Sequence, residues 1–580
     1  MQSTELSDSK KAIADHGEKM SWWRDARFGL FIHFGLFSIP AGEWDGHEIG
    51  SYSEWIMNKA EISVSDYAQL AARFNPLHFD AVAIAELAKA AGMRYVVLTA
   101  KHHEGFALFK SKASPFNSVD GSPCGRDFVR ELALACSSHG LRFGVYYSHS
   151  QDWHHRGGAG NYWDVSQHGD YDAYLDTVAV PQIRELLTNY GEISVLWYDT
   201  PRFITPERAA RFEAVHELQP RLIVNNRLLS FDTQATTTRG DTETPENFIP
   251  ANGYPGRDWE SCMTFNDNWG FRKGDTNWKG VPTLLRNLSD IASKGGNFLL
   301  NIGLQGDGSV PRANIESLEA IGHWIQRNGV AIYGTQAGPF NRRMGWGRVT
   351  RRLHEDGSTT LYLHVWHWPE DGILSLPGLR TKPTSASLLV DNRQVSFHET
   401  KEGIDVVLPR EPADELITIV VMEIRAPLLV DPPRAQLDAQ GRIVLSPHDA
   451  ELFGPDDAKP VIDGTDEKAT IRNLNRSGEW RIVFNFQVPT EGLWQVSAEL
   501  AIGSYHRMTI SSLGPHGTSI TSAFNATGED MDSFSLKELG VIRMHSGLQA
   551  LEFSSAMSDI RPLLVRRFIL TPIAIDHSAS

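Results

Sequence analysis

Five times before residue 230, a short apolar run ends in a cluster of polar, aromatic or acidic side chains. The runs start at Phe28, Tyr95, Phe143, Val195 and Leu222, and end near His33, His102, Ser148, Asp199 and Arg227. Buried strands that each deliver chemistry at their C-terminal end are the mark of a (β/α)8 barrel, whose post-strand residues converge on one pocket. Two further runs, Trp259 to Phe265 and Asn297 to Gly303, bring the strand candidates to seven. The eighth is indistinct, and 330–333 is the best remaining segment. Helical periodicity fills the intervals at 65–74, 81–91, 127–136, 174–190, 206–218, 281–294 and 314–326. The expected fold class is α/β: a (β/α)8-like (TIM) catalytic barrel, regular or deformed, followed by two all-β sandwich domains.

The grammar changes after about residue 336. Short runs such as Thr359 to Trp366, Ser385 to Val390, Ile404 to Leu408 and Leu416 to Glu423 are separated by Gly, Pro and Asp turns, an antiparallel sandwich pattern. Ala426-Pro427 and Asp431-Pro432-Pro433-Arg434 read as a stiff linker. A second all-β segment follows, with alternating strands at 492–500 and 547–553. The expected domains are residues 1–336 for the barrel, 337–427 for the first sandwich and 436–580 for the second. A chain of 580 residues has length for about three domains.

The formal net charge is -16, and no patch concentrates Lys and Arg, which argues against nucleic acid and against an anionic membrane surface. The 16 Trp, 14 Tyr and 27 Phe suit stacking on sugar rings as well as ordinary core filling. Three widely spaced cysteines, Cys124, Cys136 and Cys262, have neither disulfide-framework nor zinc spacing. The first nineteen residues are polar, with no apolar leader, and no run of about 18 apolar residues occurs. The expectation is a soluble protein, cytoplasmic, or periplasmic or secreted if a signal has been trimmed.

Asp199 closes an apolar strand after Trp197 and Tyr198, where a carboxylate would face the pocket; with Thr200-Pro201 following, it suits a capping role equally well. Glu260 sits within a strand-like run, which is costly unless the acid is paired or used. Glu246 belongs to a long acidic loop whose charges could simply be solvated. His102 and His103 are adjacent, which on a strand aims them oppositely and suits hydrogen bonding to a sugar better than one shared metal. His33 fits a satisfied core histidine, and Arg227 could orient a carboxylate or bind a hydroxyl, or equally form an inter-strand salt bridge. Glu54-Trp55 joins an acid to a ring, a pair able to bind hydroxyls and stack on a sugar face, or to be a packed Trp beside a surface Glu. No glycine-rich phosphate loop is present.

Taken in order, these stretches resemble glycoside hydrolase family 29, the retaining α-L-fucosidases. The resemblance rests on Trp22 to Gly35, Tyr52-Ser53-Glu54-Trp55, Lys101-His102-His103-Glu104-Gly105-Phe106, Gly144 to Ser148 and Trp197-Tyr198-Asp199. Asn225-Asn226-Arg227, Trp259 to Thr264, Trp269-Gly270 and Gly296 to Gly303 complete it, over residues 20 to 425. Leu304 departs from the family, which usually has Pro there. The resemblance implies hydrolysis of terminal α-linked L-fucose by double displacement, with Asp199 as nucleophile. For the acid/base it offers Glu260 first and Glu246 second. His33, His102, His103, Tyr147, Trp197 and Arg227 would hold the sugar, with Glu54 and Trp55 at the wall. An aromatic such as Phe34 or Trp269 would meet the fucose methyl. No cofactor or metal is expected, and the partner would be a fucosylated oligosaccharide or glycoconjugate. Two rival readings are a fucose-binding lectin-like protein on an inactive barrel and a hydrolase of a related sugar such as galactose; a metal-dependent hydrolase using His102 and His103 is a third. The tail from 436 resembles a carbohydrate-binding module by fold analogy alone.

Overall fold

The structure, a computed structural model, describes residues 16–573 except 231–239, 251–252, 255, 341–343, 432–436, 454–459, 464–468, 473, 475–479, 503–505, 514–516, 528–532 and 556–562. The N-terminal stretch 1–15 and the Pro432-Pro433-Arg434 part of the expected linker lie outside the described residues.

Eight parallel strands build the first unit: β1 (Phe28–His33), β2 (Tyr95–Lys101), β3 (Arg142–Tyr147), β4 (Val195–Tyr198), β5 (Ile223–Val224), β6 (Thr242–Glu243), β7 (Asp258–Thr264) and β8 (Asn297–Gly303). They pair in the order β5-β4-β3-β2-β1-β8-β7-β6. The ring nearly closes: between β5 and β6 lies the Asn225–Thr242 bridge, where Asn226 N donates to Thr242 O at 2.9 Å and Asp241 N to Val224 O at 2.6 Å. The barrel expectation therefore holds, and the strand missing from the sequence reading is Thr242–Glu243. The 330–333 segment is no strand; it follows the last helix as a 3-10 turn at Gly329–Ala331. Thr242–Glu243 is as short as β5 but, unlike it, belongs to no apolar run, and its acidic loop disguised it.

The helices packed outside the barrel begin where side chains can satisfy free N–H groups. Asp80 accepts from Val82 N and Ala83 N to start α1 (Ala81–Ala90), and Asp127 accepts from Arg130 N to start α2 (Phe128–His139). Gly140, at φ 71°, ends α2 in the left-handed conformation that glycine adopts without strain. Further helices are α3 (Val180–Asn189), α4 (Pro206–His216), α5 (Val281–Ser293) and α6 (Arg312–Asn328). Alternate strand residues fill the barrel: Phe31, Tyr95, Val97, Tyr146, Val195, Trp197, Ile223, Cys262 and Leu299 belong to one buried cluster. Their spacing of two residues along β2 and β4 is the strand pleat projecting one set of side chains inward.

The chain divides into two compact units, Met1–Ile249 with Gly256–Gln336, and Pro250–Pro255 with Ala337–Ser580. Within the second, two antiparallel β regions have separate cores. In one, Gly347–Leu353, Thr359–Val365, Thr418–Ile424 and Ser385–Leu388 pair in a sheet, and Ile373–Pro377, Gly403–Val407 and Ser396–Glu399 in another. Leu361, Leu363, Leu374, Leu376, Val406 and Val420 lie in its core. The other core gathers Trp480, Trp494, Phe484, Phe553 and Phe568.

Candidate active site

A cavity of about 280 Å³ opens at the C-terminal end of the barrel strands, a size at the small end of ligand pockets. Phe31 and His33 come from β1, His102 and His103 from the turn after β2, Tyr146 from β3, and Trp197 and Asp199 from β4 and its end. Arg227, Glu246 and Trp269 follow β5, β6 and β7, while Glu54 and Trp55 come from a 3-10 turn after β1. Ser51, Tyr52 and Lys59, to which the sequence assigns no role, line the same cavity and are exposed.

Asp199 is the most heavily bound acid in the cavity. Arg227 Nη1 donates to its Oδ1 at 2.8 Å, the Tyr146 hydroxyl donates to its Oδ2 at 2.9 Å, and His103 Nε2 stands 3.8 Å from Oδ2. Burial pushes the carboxyl toward protonation, but the Arg227 charge and these donors outweigh it and hold Asp199 below its ordinary range. The same Arg227 Nη1 donates to Glu246 Oε2 at 3.0 Å. The two acid oxygens can therefore be no farther apart than those two bonds laid end to end, near the roughly 5–5.5 Å of a retaining carboxyl pair. Arg227 is anchored by Thr244 through its Nε and Nη2, and its guanidinium carbon lies 4.6 Å over the Trp197 ring.

The histidines face the cavity as neutral rings. Burial lowers His33 and His103 to about 4 and His102 well below its ordinary value. His33 Nδ1 shares a 2.6 Å hydrogen bond with Asn301 Oδ1, and His103 Nδ1 one of 2.7 Å with Ser148 Oγ. His102 and His103 both reach the cavity because they follow the end of β2, where strand alternation no longer applies. Gly105 makes that turn possible: its φ is +83°, and a Cβ there would fall 2.5 Å from Asp152 Oδ1. Asp152 accepts a 2.7 Å bond from Lys101 Nζ, both fully buried, so the loop carrying Trp153 is tied behind His103. Glu54 accepts from Gly270 N at 2.9 Å through Oε2; its buried Oε1 has no protein partner, and burial lifts it to about 7.

Three expectations need correction. The Tyr147 hydroxyl donates to Gln182 on α3 at 2.6 Å and is absent from the cavity lining; Tyr146 lines it instead. The reason is strand parity: Gly144 and Tyr146 project inward, Val145 and Tyr147 outward. Phe34 packs with Phe74, Phe79 and Phe128 away from the cavity, and Phe31 takes its place there. Glu260, the first choice for acid/base, is not presented to the cavity. It pairs in register with Asn297, at the start of β8, four residues before Asn301 reaches His33. Tyr95 and Trp197 donate to its carboxylate inside the barrel, and burial lifts it to about 7. Among the described residues no group of three or more His, Cys, Asp or Glu is arranged to hold a metal ion. No described helix is long and apolar enough to cross a membrane.

The family model described as Alpha-L-fucosidase matches residues 2–330. The tissue alpha-L-fucosidase of Rattus norvegicus is 29% identical over 418 residues, 67% of this chain and 86% of that protein. An alpha-L-fucosidase crystal structure from Vibrio sp. strain EJY3 superposes with a TM-score of 0.69 at 28% identity, covering 96% of this chain and 98% of its own. A Bacteroides thetaiotaomicron alpha-L-fucosidase, solved as a trapped covalent intermediate with 2-fluoro-fucosyl fluoride, matches at 28% identity and a TM-score of 0.63, over 70% of this chain and 96% of its own.

Proposed function

This chain belongs to the α-L-fucosidase family and is a retaining glycoside hydrolase, and on that premise we propose that Asp199 is its nucleophile and Glu246 its acid/base. The observation that carries the assignment is the single Arg227 nitrogen bonded to both carboxylates. In the first step an oxygen of Asp199 attacks the anomeric carbon of an α-linked fucoside. Protonated Glu246 gives its proton to the departing oxygen, leaving a fucosyl ester on Asp199. In the second step Glu246 takes a proton from water, the water oxygen attacks the same carbon, and the ester bond to Asp199 breaks. The depressed proton affinity of Asp199 suits a group that must be ionised to attack.

The neutral rings of His33, His102 and His103 suit hydrogen bonding to sugar hydroxyls, and the unpartnered Glu54 Oε1 offers one further acceptor. Phe31, Trp197 and Trp269 surround the remaining wall, with Phe31 5.3 Å from Trp197 and 6.1 Å from Trp269. Such a wall favours a methyl over the hydroxymethyl of galactose, since an added hydroxyl would be desolvated without a partner. The substrate is then a terminal α-L-fucosyl group on an oligosaccharide or glycoconjugate, admitted past the exposed rim of Ser51, Tyr52 and Lys59.

The test is release of 4-nitrophenol from its α-L-fucoside by wild type, Asp199→Ala, Glu246→Ala and Glu260→Ala, with and without azide. The expected result is an Asp199→Ala that is inactive without azide and yields at most the inverted β-azide with it, and a Glu246→Ala that azide rescues to the α-configured fucosyl azide. Rescue of Glu260→Ala to that product, with Glu246→Ala near wild type, would overturn the acid/base assignment.

A further inference from the structure

Glu260 is a buried carboxylate, 2% exposed, that the proposed chemistry does not use. Its two side-chain partners are neutral: Trp197 Nε1 donates to Oε1 at 3.2 Å and the Tyr95 hydroxyl to Oε2. A carboxylate kept in a barrel interior on neutral donors is costly to bury, so what it holds matters. It holds the edge of the Trp197 indole. The faces of that ring carry the groups around the nucleophile. The Arg227 guanidinium carbon lies 4.6 Å over it, and Tyr146 stacks on it at 5.8 Å with 19° between planes. Arg227 and Tyr146 are the two side chains hydrogen-bonded to Asp199.

We propose that Glu260 is a positioning residue: by accepting from Trp197 Nε1 it fixes the indole on which Arg227 and Tyr146 rest, and so aims Asp199. Stacking and cation–π contact leave a ring free to slide in its own plane, because they vary slowly with lateral shift. A hydrogen bond to the ring edge is directional and removes that freedom. The chain of contacts runs from the barrel interior to the nucleophile: Glu260, Trp197, then Arg227 and Tyr146 in parallel, then Asp199. Arg227 continues it to Glu246 at 3.0 Å, so both carboxyls of the proposed pair depend on one indole.

This inference rests on the reading of Asp199 as nucleophile. The experiment measures kcat/KM against pH on 4-nitrophenyl α-L-fucoside for Glu260→Gln and Glu260→Leu, each alone and in a Trp197→Phe background, with Asp199→Ala as control. Glu260→Gln keeps an oxygen facing Nε1 and is expected to stay within about threefold of wild type with an unmoved acid limb. Glu260→Leu removes the acceptor; kcat/KM is expected to fall about 10–100-fold, the cost of misplacing a reacting group by a fraction of an ångström to an ångström. Its acid limb should move to higher pH, because Arg227 and Tyr146 then support the Asp199 carboxylate less well, and azide should restore nothing. In Trp197→Phe, which has no Nε1–H, Glu260→Leu should cost nothing further. An unmoved acid limb in Glu260→Leu, a penalty that persists in Trp197→Phe, or azide rescue each overturns the proposal. Should the Leu variant not fold, Glu260→Gln decides alone: a loss beyond about tenfold overturns it, and near-normal activity without azide rescue supports it. An active Asp199→Ala would instead sink the nucleophile reading itself, whereas an inert Asp199→Ala beside wild-type-like Glu260→Leu would sink only the positioning role.

Discussion

Asp199 at the barrel mouth and Glu260 in the barrel interior beneath it are both largely withdrawn from solvent, and their surroundings treat them oppositely. At the mouth, Asp199 is held by a cation, Arg227, and its carboxyl is pulled below the ordinary range despite burial. Below, Glu260 accepts from a phenol and an indole, and burial lifts it to about 7. The lesson is that burial alone marks neither acid as reactive. A paired cation and an open face toward the cavity distinguish the proposed nucleophile from the proposed support. Arg227 supplies the first, and the end of β4 supplies the second.

That contrast can be broken most severely at Asp199. Asp199→Ala should lower kcat on an activated fucoside by about 10⁴-fold or more, measured as nitrophenol release, since no other group can form the ester. Arg227→Met comes next. It leaves Asp199 buried without its cation, worth about 3–5 kcal/mol of pairing, and should cost about 10²–10³-fold in kcat/KM. Because Arg227 depresses the proton affinity of Asp199, its loss should move the acid limb of the pH profile to higher pH; an unmoved limb would contradict the contrast. Tyr146→Phe and Tyr147→Phe test the parity of β3. The first removes a bond to Asp199 and should cost about tenfold in kcat; the second removes a bond to Gln182 and should cost about 1 kcal/mol of stability with activity intact.

The smallest effect concerns the interior acid. The folded protein raises Glu260 from 4.5 to about 7, so protonated Glu260 stabilises the fold below about pH 4.5, and that contribution is lost as pH rises through 7. Glu260→Gln cannot ionise. Its Tm relative to wild type should therefore climb by a few degrees between pH 5 and pH 8, in a scan of both proteins in the same buffers. A flat difference would mean that Glu260 titrates as a solvated acid does.

Much of this was legible in the chain. Seven of the eight barrel strands lie in apolar or strand-like runs, and Asp127 and Gly140 mark the ends of α2 through local hydrogen bonding and backbone conformation. Asp199, Arg227 and the two histidines each stand at the end of such a run. Harder to read were the residues whose role depends on distant neighbours. Thr242–Glu243 becomes a strand only because β7 lies beside it. Tyr146 and Tyr147 are chemically identical, and only the inward face of β3 separates them. Alternation in that strand was the available signal, since Gly144 and Tyr146 share a parity.

The sequence by itself determined the barrel, the order of its chemistry-bearing strand ends and the identity of Asp199 as the acid at one of them, because these follow from periodicity and short-range hydrogen bonding along the chain. Only the tertiary structure separates the two glutamates in space. Glu246 and Glu260 are 14 residues apart on neighbouring segments. Closure of the ring sets one at the rim on Arg227 and the other inside the barrel under Trp197, a difference in depth that no local pattern encodes.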